Sequence, residues 1–237
     1  MPDGDGETIN LIAGAPGASA LPDYLERHYW WAYLRPTSLR LFDHPAVVSA
    51  ILWGQYRRLS DAALAEVRAG QRVLQLACVY GDLTPRLRDR LGPDGRLEVV
   101  DAAQIQIKNL AAKLGYDRRV RLRVADAAAS GPGRFDVVLC FFLLHELPDG
   151  QKRRVVDAAL ARLAPSGRAV FVDYARPARW HPLGPVMRAV FGLLEPFAIG
   201  MWRRPVRSLS STPDRFRWRE RRVFGGLYQI VLAERPG

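Results

Sequence analysis

The stretch "VLQLACVYGDL", residues 73–83, decides how the rest of the chain is read. Val73, Leu74 and Leu76 make a short apolar run of the kind that forms a buried strand. Leu83 opens "LTPRLRDRLG", in which Leu83, Leu87 and Leu91 fall on one helical face before Gly92 stops it. A strand that turns straight into a helix is the first half of a βαβ unit. Dinucleotide-binding turns of this kind carry glycines so that the backbone can bend tightly and approach its ligand. Here only Gly81 is glycine, and Val79 and Tyr80 put bulk where space is usual.

The pattern repeats downstream. "RLEVVDA" is a strand, "QIQIKNLAAKLG" a helix, "VRLRVADA" a strand, "FDVVLCFFLL" a strand, "QKRRVVDAALARLAP" a helix and "GRAVFVDYA" a strand. Continuous aliphatic strands alternating with amphipathic helices predict an α/β fold, a doubly wound, mostly parallel sheet covered on both faces. Upstream, "LPDYLERHYWWAYLRP" (21–36) and "HPAVVSAILWGQYRRLSDAALAEVRAG" (44–70) read as an N-terminal helical cap. Downstream, an apolar helix at 183–200 precedes a C-terminal antiparallel hairpin, "RFRWRERRVF" and "GLYQIVLAE", turning at Gly225 and Gly226. The expected division is a flexible leader at 1–20, the cap at 21–70 and the α/β domain at 71–237.

Composition bounds the function. With 237 residues and 49% hydrophobic content a sizeable core can form. No apolar run reaches the roughly 18 residues of a spanning helix, and the first residues lack the basic and apolar regions of a secretory signal. Both features predict a cytoplasmic protein. Cys78 and Cys140 sit in apolar strand-like runs, which suits buried reduced thiols better than a disulfide or a zinc site. The net charge of +11, clustered at 118–123, 151–154, 202–207 and 215–222, favours an anionic partner. Nucleic acid, an acidic membrane surface and a plain compositional bias toward arginine all remain open on charge alone.

In an open doubly wound sheet the ligand sits beyond the carboxyl ends of the strands, beside the first one. That places Ala77 to Asp82 at the site. Asp101 ends the second strand 20 residues after Gly81, the spacing at which a carboxylate takes both hydroxyls of a ribose. Asp126 ends the third strand, beside an adenine edge, and Ala102 and Ala127 follow the two acids. The fourth strand delivers His145 and Glu146 to the same rim. Each acid taken alone reads equally well as a helix N-cap or turn residue.

Through "VLQLACVYG", "LEVVDA", "VADAA", "FDVVLCFFLLHELPD" and "LARLAPSGRAVFVDYARP", the chain resembles the class I S-adenosylmethionine-dependent methyltransferases over about residues 70–176. The last two segments look most like quinone-biosynthesis methyltransferases. More narrowly, "ACVYGDL", "HYWWAY" and "ARPARWHPL…EPFA" resemble the RquA family of rhodoquinone biosynthesis proteins. That resemblance implies conversion of ubiquinone to rhodoquinone by exchange of a ring methoxy group for an amino group, with S-adenosylmethionine as nitrogen donor and manganese (Mn2+) assisting. It implies a cofactor site made of Gln75, Ala77, Val79, Tyr80, Gly81, Asp101, Ala102, Asp126 and Ala127, and catalytic roles for Tyr80 and His145.

The methyltransferase signature begins with an acid followed by three spaced glycines. Here Gln75 replaces the acid, and Ala77 and Val79 replace two glycines. One reading is a dead cofactor site. Another is changed chemistry: an amine attacks only through its lone pair, and a nearby carboxylate would hold the donor's ammonium protonated, so a neutral Gln75 removes that opposition. Tyr80 would then fill space above the donor's amino acid end and orient or relay a proton, or it simply packs against the cap.

Charge develops on the quinone oxygen as the amine adds, and a divalent cation would stabilise it. The hard donors that manganese prefers are His145, Glu146, Asp173 and His181, all at or after the carboxyl ends of predicted strands, although no recognised metal motif joins them. A polyisoprenoid quinone lives in a bilayer, so the apolar segment 181–205, bounded by Trp180, Trp202, Arg203 and Arg204, is expected to lie at an anionic membrane surface with Phe191 and Leu194 as anchors, or else to be ordinary core. The stripe Tyr24, His28 and Trp31 on the cap offers a second such surface. The expected location is peripheral, on the inner face of the cytoplasmic membrane. No nucleic acid is expected, because no Asn-Pro-Pro-Tyr-type base-flipping motif ends the fourth strand. Three functions follow: a quinone-aminating enzyme, a conventional quinone-pathway methyltransferase, and a noncatalytic membrane-associated binding protein.

Overall fold

The computed structural model of the chain describes residues 11–12, 43–129 and 131–236. The aromatic helix expected at 21–36, with its stripe Tyr24, His28 and Trp31, lies outside the described residues, as does all of the leader except Leu11–Ile12. Those two residues form β1, a short strand that pairs parallel to a sheet edge. Helices α1 (Pro45–Ile51) and α2 (Tyr56–Leu64) follow. Then come β2 (Arg72–Leu76), α3 (Leu83–Leu91), β3 (Arg96–Asp101), α4 (Gln104–Leu114), β4 (Val120–Val124), β5 (Phe135–Phe141), α5 (Asp149–Ala161) and β6 (Leu163–Tyr174). The chain finishes with α6 (Gly184–Leu193), α7 (Ile199–Arg203), β7 (Arg217–Val223) and β8 (Tyr228–Glu234).

The eight strands run in the order β1-β4-β3-β2-β5-β6-β8-β7. All neighbours are parallel except β8, which is antiparallel to both β6 and β7. Strand order reverses beside β2, where the chain has gone out through β3 and β4 and returns to start β5. That reversal opens a crevice at the carboxyl edge.

The period-two alternation of the central strands divides the core between the two faces. Val137, Leu139 and Phe141 of β5 join one cluster with α1 to α4, whereas Val138 and Cys140 join the other with Val155, Val156, Ala159 and Leu160 of α5. On α2 the buried set is Tyr56, Leu59, Ser60, Ala63 and Leu64, a stripe at i, i+3, i+4, i+7 and i+8. Residues 45–67 of the expected cap therefore pack onto the sheet as its covering layer. Gly92 and Gly115 stop α3 and α4 at φ 65° and 64°, a region that glycine enters without a Cβ clash.

Two boundaries differ from expectation. Strand β6 begins at Leu163, four residues before Gly167, because Phe135 pairs with Leu163 across an irregular register. The single helix expected at 183–200 is two helices, since Pro196 has no N–H to give a continuing ladder. Phe191, expected as a membrane anchor, is buried in the core, and it is Leu193 that stands out, 82% exposed. No described helix is long and apolar enough to cross a membrane. Cys78 and Cys140 are free thiols.

Candidate functional site

A cavity of about 590 Å³ opens at the carboxyl edge of the sheet. Its walls come from the ends of β2, β3, β4 and β5, from the turn after α1, and from α6. Of the residues expected at the site, Ala77, Val79, Tyr80, Asp101, Ala102, Asp126, Ala127, His145 and Glu146 line it; Gln75, Gly81, Asp173 and His181 do not. Trp53, Ala77 and Phe142 hold positive φ values of 53°, 70° and 51°, and all three line the cavity. Strain of this kind concentrates where a binding surface is shaped.

The loop after β2 is fastened from behind. Gly81 sits at φ 87°, and a Cβ there would stand 2.6 Å from the Tyr56 hydroxyl. That hydroxyl donates to Asp82 Oδ1 at 2.9 Å and accepts from the Asp82 N–H at 2.8 Å. The Gly81 N–H donates to Asp43 Oδ1 (3.1 Å), its carbonyl accepts from Lys113 Nζ (2.9 Å), and Lys113 pairs with Asp43 at 2.5 Å. Gly81 thus serves the loop's attachment to the cap. Gly81→Ala combines a left-handed backbone penalty with overpacking, and a loss of about 2–5 kcal/mol is expected in chemical denaturation. Tyr56, Asp43 and Lys113 escaped sequence reasoning, because none of them is near Gly81 in the chain.

Gln75 is fully buried and turns away from the cavity. Its Nε2 donates to the Ala77 carbonyl (3.0 Å) and to Thr84 Oγ1 (2.9 Å), whose hydroxyl lies 3.1 Å from Gln75 Oε1. It stitches the strand end to α3. Val79 and Tyr80 do face the cavity, and they also pack against the core of the cap side. The Tyr80 hydroxyl accepts from Gln106 Nε2 at 3.0 Å, and burial pushes its phenol well above the usual range. The bulk that replaces glycine is a cavity wall.

Asp101 is held by two backbone donors, Cys78 N–H to Oδ2 and Ala103 N–H to Oδ1, both at 2.7 Å. Burial pushes its carboxyl up to about 6, against the pull of those bonds. Asp126 accepts from Ala128 N–H at 2.9 Å, the turn-capping role that its position also suggested, and it lines the cavity as well. One oxygen of a carboxylate can cap a turn while its remaining lone pairs face a ligand.

His145 lies on the turn after β5, buried, with Nδ1 3.0 Å from Asp173 Oδ1 and its backbone N–H donating to Asp173 Oδ2 at 3.2 Å. Burial disfavours the imidazolium, but Asp173, Glu195 and Glu146 outweigh it and push the ring up to about 9. His145 is therefore a cation at neutral pH. The rings of Tyr174 (4.9 Å) and Phe142 (5.8 Å) meet it edge to face.

Of the four expected manganese donors, His145 lies beside Asp173 (3.0 Å) and Glu146 (3.9 Å), but the three are spent on one another and His181 stands apart. Asp173 Oδ1 is shared between His145 and the Tyr174 N–H (2.7 Å). His181 sits against the β7–β8 turn, where a Cβ on Gly225 would come 2.2 Å from its ring; its Nδ1 accepts from Leu183 N–H at 3.2 Å. Among the described residues no group of three or more His, Cys, Asp or Glu could hold a metal. The set therefore does not fit the ion. A nucleoside fits better: two carboxylates stand at the ends of β3 and β4, the small residues Ala102, Ala103 and Ala127 leave room, and Leu143 and Leu147 give an apolar wall.

Residues 73–167 match the family described as a methyltransferase domain. An uncharacterized methyltransferase, sll0829, of Synechocystis sp. is 26% identical over 169 residues, 70% of this chain and 75% of that one. The ubiquinone/menaquinone biosynthesis C-methyltransferase UbiE of Idiomarina loihiensis is 31% identical over 131 residues, 53% of this chain and 50% of its own length. The chain thus spans about half the length of this quinone methyltransferase. Among solved structures, the N-methyltransferase NodS of Bradyrhizobium japonicum WM9 in complex with S-adenosyl-l-homocysteine aligns over 86% of this chain and 94% of its own, with a TM-score of 0.54 at 15% identity. Residues 73–167 are thus similar to a methyltransferase domain, and the sheet order with the solved structures shows that the chain carries the class I S-adenosylmethionine-dependent methyltransferase fold.

Proposed function

We propose that this chain is a transferase that uses S-adenosylmethionine to modify the ring of a lipophilic quinone, and that it exchanges a methoxy group of ubiquinone for an amino group to give rhodoquinone. The observation that carries the reading is the buried His145–Asp173 pair, Nδ1 to Oδ1 3.0 Å, with His145 on the wall of a largely apolar cavity and its imidazole pushed up by that carboxylate. Methyl transfer to a ring carbon needs an electron-rich ring, and hence a base that removes a phenol proton. Addition of an amine to a quinone needs an electron-poor ring, and hence a proton donor at the carbonyl oxygen. An imidazole that is protonated at neutral pH serves the second need.

S-Adenosylmethionine, when bound, supplies the amine nitrogen. The chain's residues do the rest. Asp101 and Asp126 are suited to the nucleoside, and Val79 and Tyr80 shape the wall of the cavity. His145 donates to the quinone oxygen while Asp173 keeps the ring charged and oriented. Glu146 and Glu195 line the same cavity and are the carboxylates within it that can take the ammonium proton. One C–N bond forms at the ring, one ring C–O bond breaks, and methoxide leaves as methanol with a proton that the amine gives up; the amino group is then freed when the bond from its nitrogen to the donor's α-carbon breaks, the nitrogen taking up a proton lost from the adjacent donor carbon and the donor leaving as an unsaturated acid.

The second reading, conventional methyl transfer, is favoured by the domain match and by the likeness to UbiE. Purified protein incubated with ubiquinone, and separately with a demethyl quinol that has one open ring carbon, each with manganese and donor labelled with ¹⁵N in its amino group and ¹³C in its methyl group, separates the two by mass spectrometry of the quinone. Nitrogen label supports amination; carbon label overturns it in favour of methylation; neither label points to a noncatalytic binding protein.

A further inference from the structure

All but one of the large apolar side chains that stand exposed among the described residues fall on two segments: Ile51 and Trp53 on the turn after α1, and Trp180, Val186, Leu193 and Leu194 on α6 and its approaches. The segments meet. Trp53 Nε1 donates to Met187 Sδ at 3.3 Å across 134 residues of chain, and Ile51, Trp53 and Leu194 also line the cavity. The patch is therefore the mouth of the candidate site.

Helix α6 is apolar on both sides. Met187 and Phe191 enter the core, while Val186, Ala189 and Leu193 face outward, with Arg188 as the helix's one charge. A helix that is apolar all round is ordinarily buried, and an outward apolar patch of this kind marks a surface that something covers. Charge identifies the cover. Residues 176–207 hold six arginines against one acid, Glu195, and Arg176, Arg179, Arg188, Arg203 and Arg204 are exposed. Exposed apolar side chains flanked in the chain by exposed arginines match hydrocarbon beneath anionic headgroups. A second copy of the chain would bring two basic segments together.

We propose that this face docks on an anionic bilayer and that the cavity mouth opens into the lipid, so that an apolar-tailed ligand enters without crossing water. Only the last clause rests on the quinone reading; the docking itself does not. The test sediments the full chain, without substrate, with vesicles of phosphatidylcholine alone or with about one third phosphatidylglycerol. Binding to the anionic vesicles is expected to exceed binding to the neutral ones. The Val186→Glu/Leu193→Glu variant, altered at exposed positions off the cavity wall, should bind at least about tenfold more weakly while keeping the thermal melt of the parent. The Arg203→Glu/Arg204→Glu variant should lose the preference for anionic vesicles.

Equal binding to both vesicle types overturns the proposal, as does unchanged binding by the Val186→Glu/Leu193→Glu variant or no binding at all. A dimer of the parent by light scattering that this variant breaks overturns it in favour of a second copy. Calorimetry with S-adenosylhomocysteine is read separately. Vesicle binding without nucleoside binding would sink the functional reading and leave the docking surface standing.

Discussion

Asp173→Asn is expected to cut turnover near neutral pH by about a hundredfold or more, because it removes the charge that keeps His145 protonated in a buried place. Burial then acts with less opposition and the imidazole titrates lower, so the proton donor at the quinone oxygen is mostly absent at working pH. In the parent the rate should fall as pH rises through about 9; in the variant the same fall should come at lower pH. Stability carries the same signature. The folded pKa is raised above the unfolded 6.5, so the stabilisation is fully present below about 6.5 and is lost as pH rises through about 9. A shift of this size is worth about 3 kcal/mol. The gap in urea stability between parent and variant should be widest near pH 6 and narrow by pH 9.5. A gap that does not change with pH would mean that Asp173 acts only through its backbone bonds to His145 and Tyr174. An unchanged rate profile in a folded variant would remove His145 from the mechanism.

Asp101→Asn should weaken S-adenosylhomocysteine binding by about tenfold or more, since a hydrogen bond to a charged group is worth roughly 1.5–3 kcal/mol. The amide also turns an N–H₂ group toward Cys78 N–H or Ala103 N–H, where the carboxylate had an acceptor for each. A lower melting temperature therefore accompanies the weaker binding. The parent offers an independent check. Its Asp101 carboxyl titrates at about 6, so affinity should decline as pH falls through 6, when the acceptor becomes a neutral acid. For stability the sign is the reverse of the usual carboxylate: a folded pKa raised above 3.8 favours the folded state at low pH, and that preference is lost as pH rises through 6. Calorimetry at pH 7.5 and pH 5 measures the binding. Equal affinity of parent and variant at pH 7.5 would take the ribose away from Asp101.

What the sequence by itself determined follows from local periodicity. Aliphatic runs alternating with amphipathic helices define the strand ends, and strand ends define a rim, which is why Ala77, Tyr80, Asp101, Asp126, His145 and Glu146 were legible as neighbours although 69 residues separate the first from the last. Glycines at 92, 115, 225 and 226 marked stops and a turn because their backbone requirement is a property of one residue. The tertiary structure alone decided the partners. Asp173 and His181 both stand at or after a predicted strand end, yet one carboxylate orients His145 while the other side chain packs against Gly225 and Phe224, and no spacing distinguishes them. Gln75 lies next to the loop in sequence but turns to Thr84, because strand alternation and the packing of α3 set its direction. Tyr56, Asp43 and Lys113 fasten the Gly81–Asp82 turn from positions that are distant in the chain. On α6 the two faces are equally apolar, so only the packing of the sheet beneath chose Phe191 for the core and left Leu193 outside. Periodicity reports which side of its own element a residue occupies; which atoms it meets depends on how separate elements pack, and that is a sum of contacts over the whole chain.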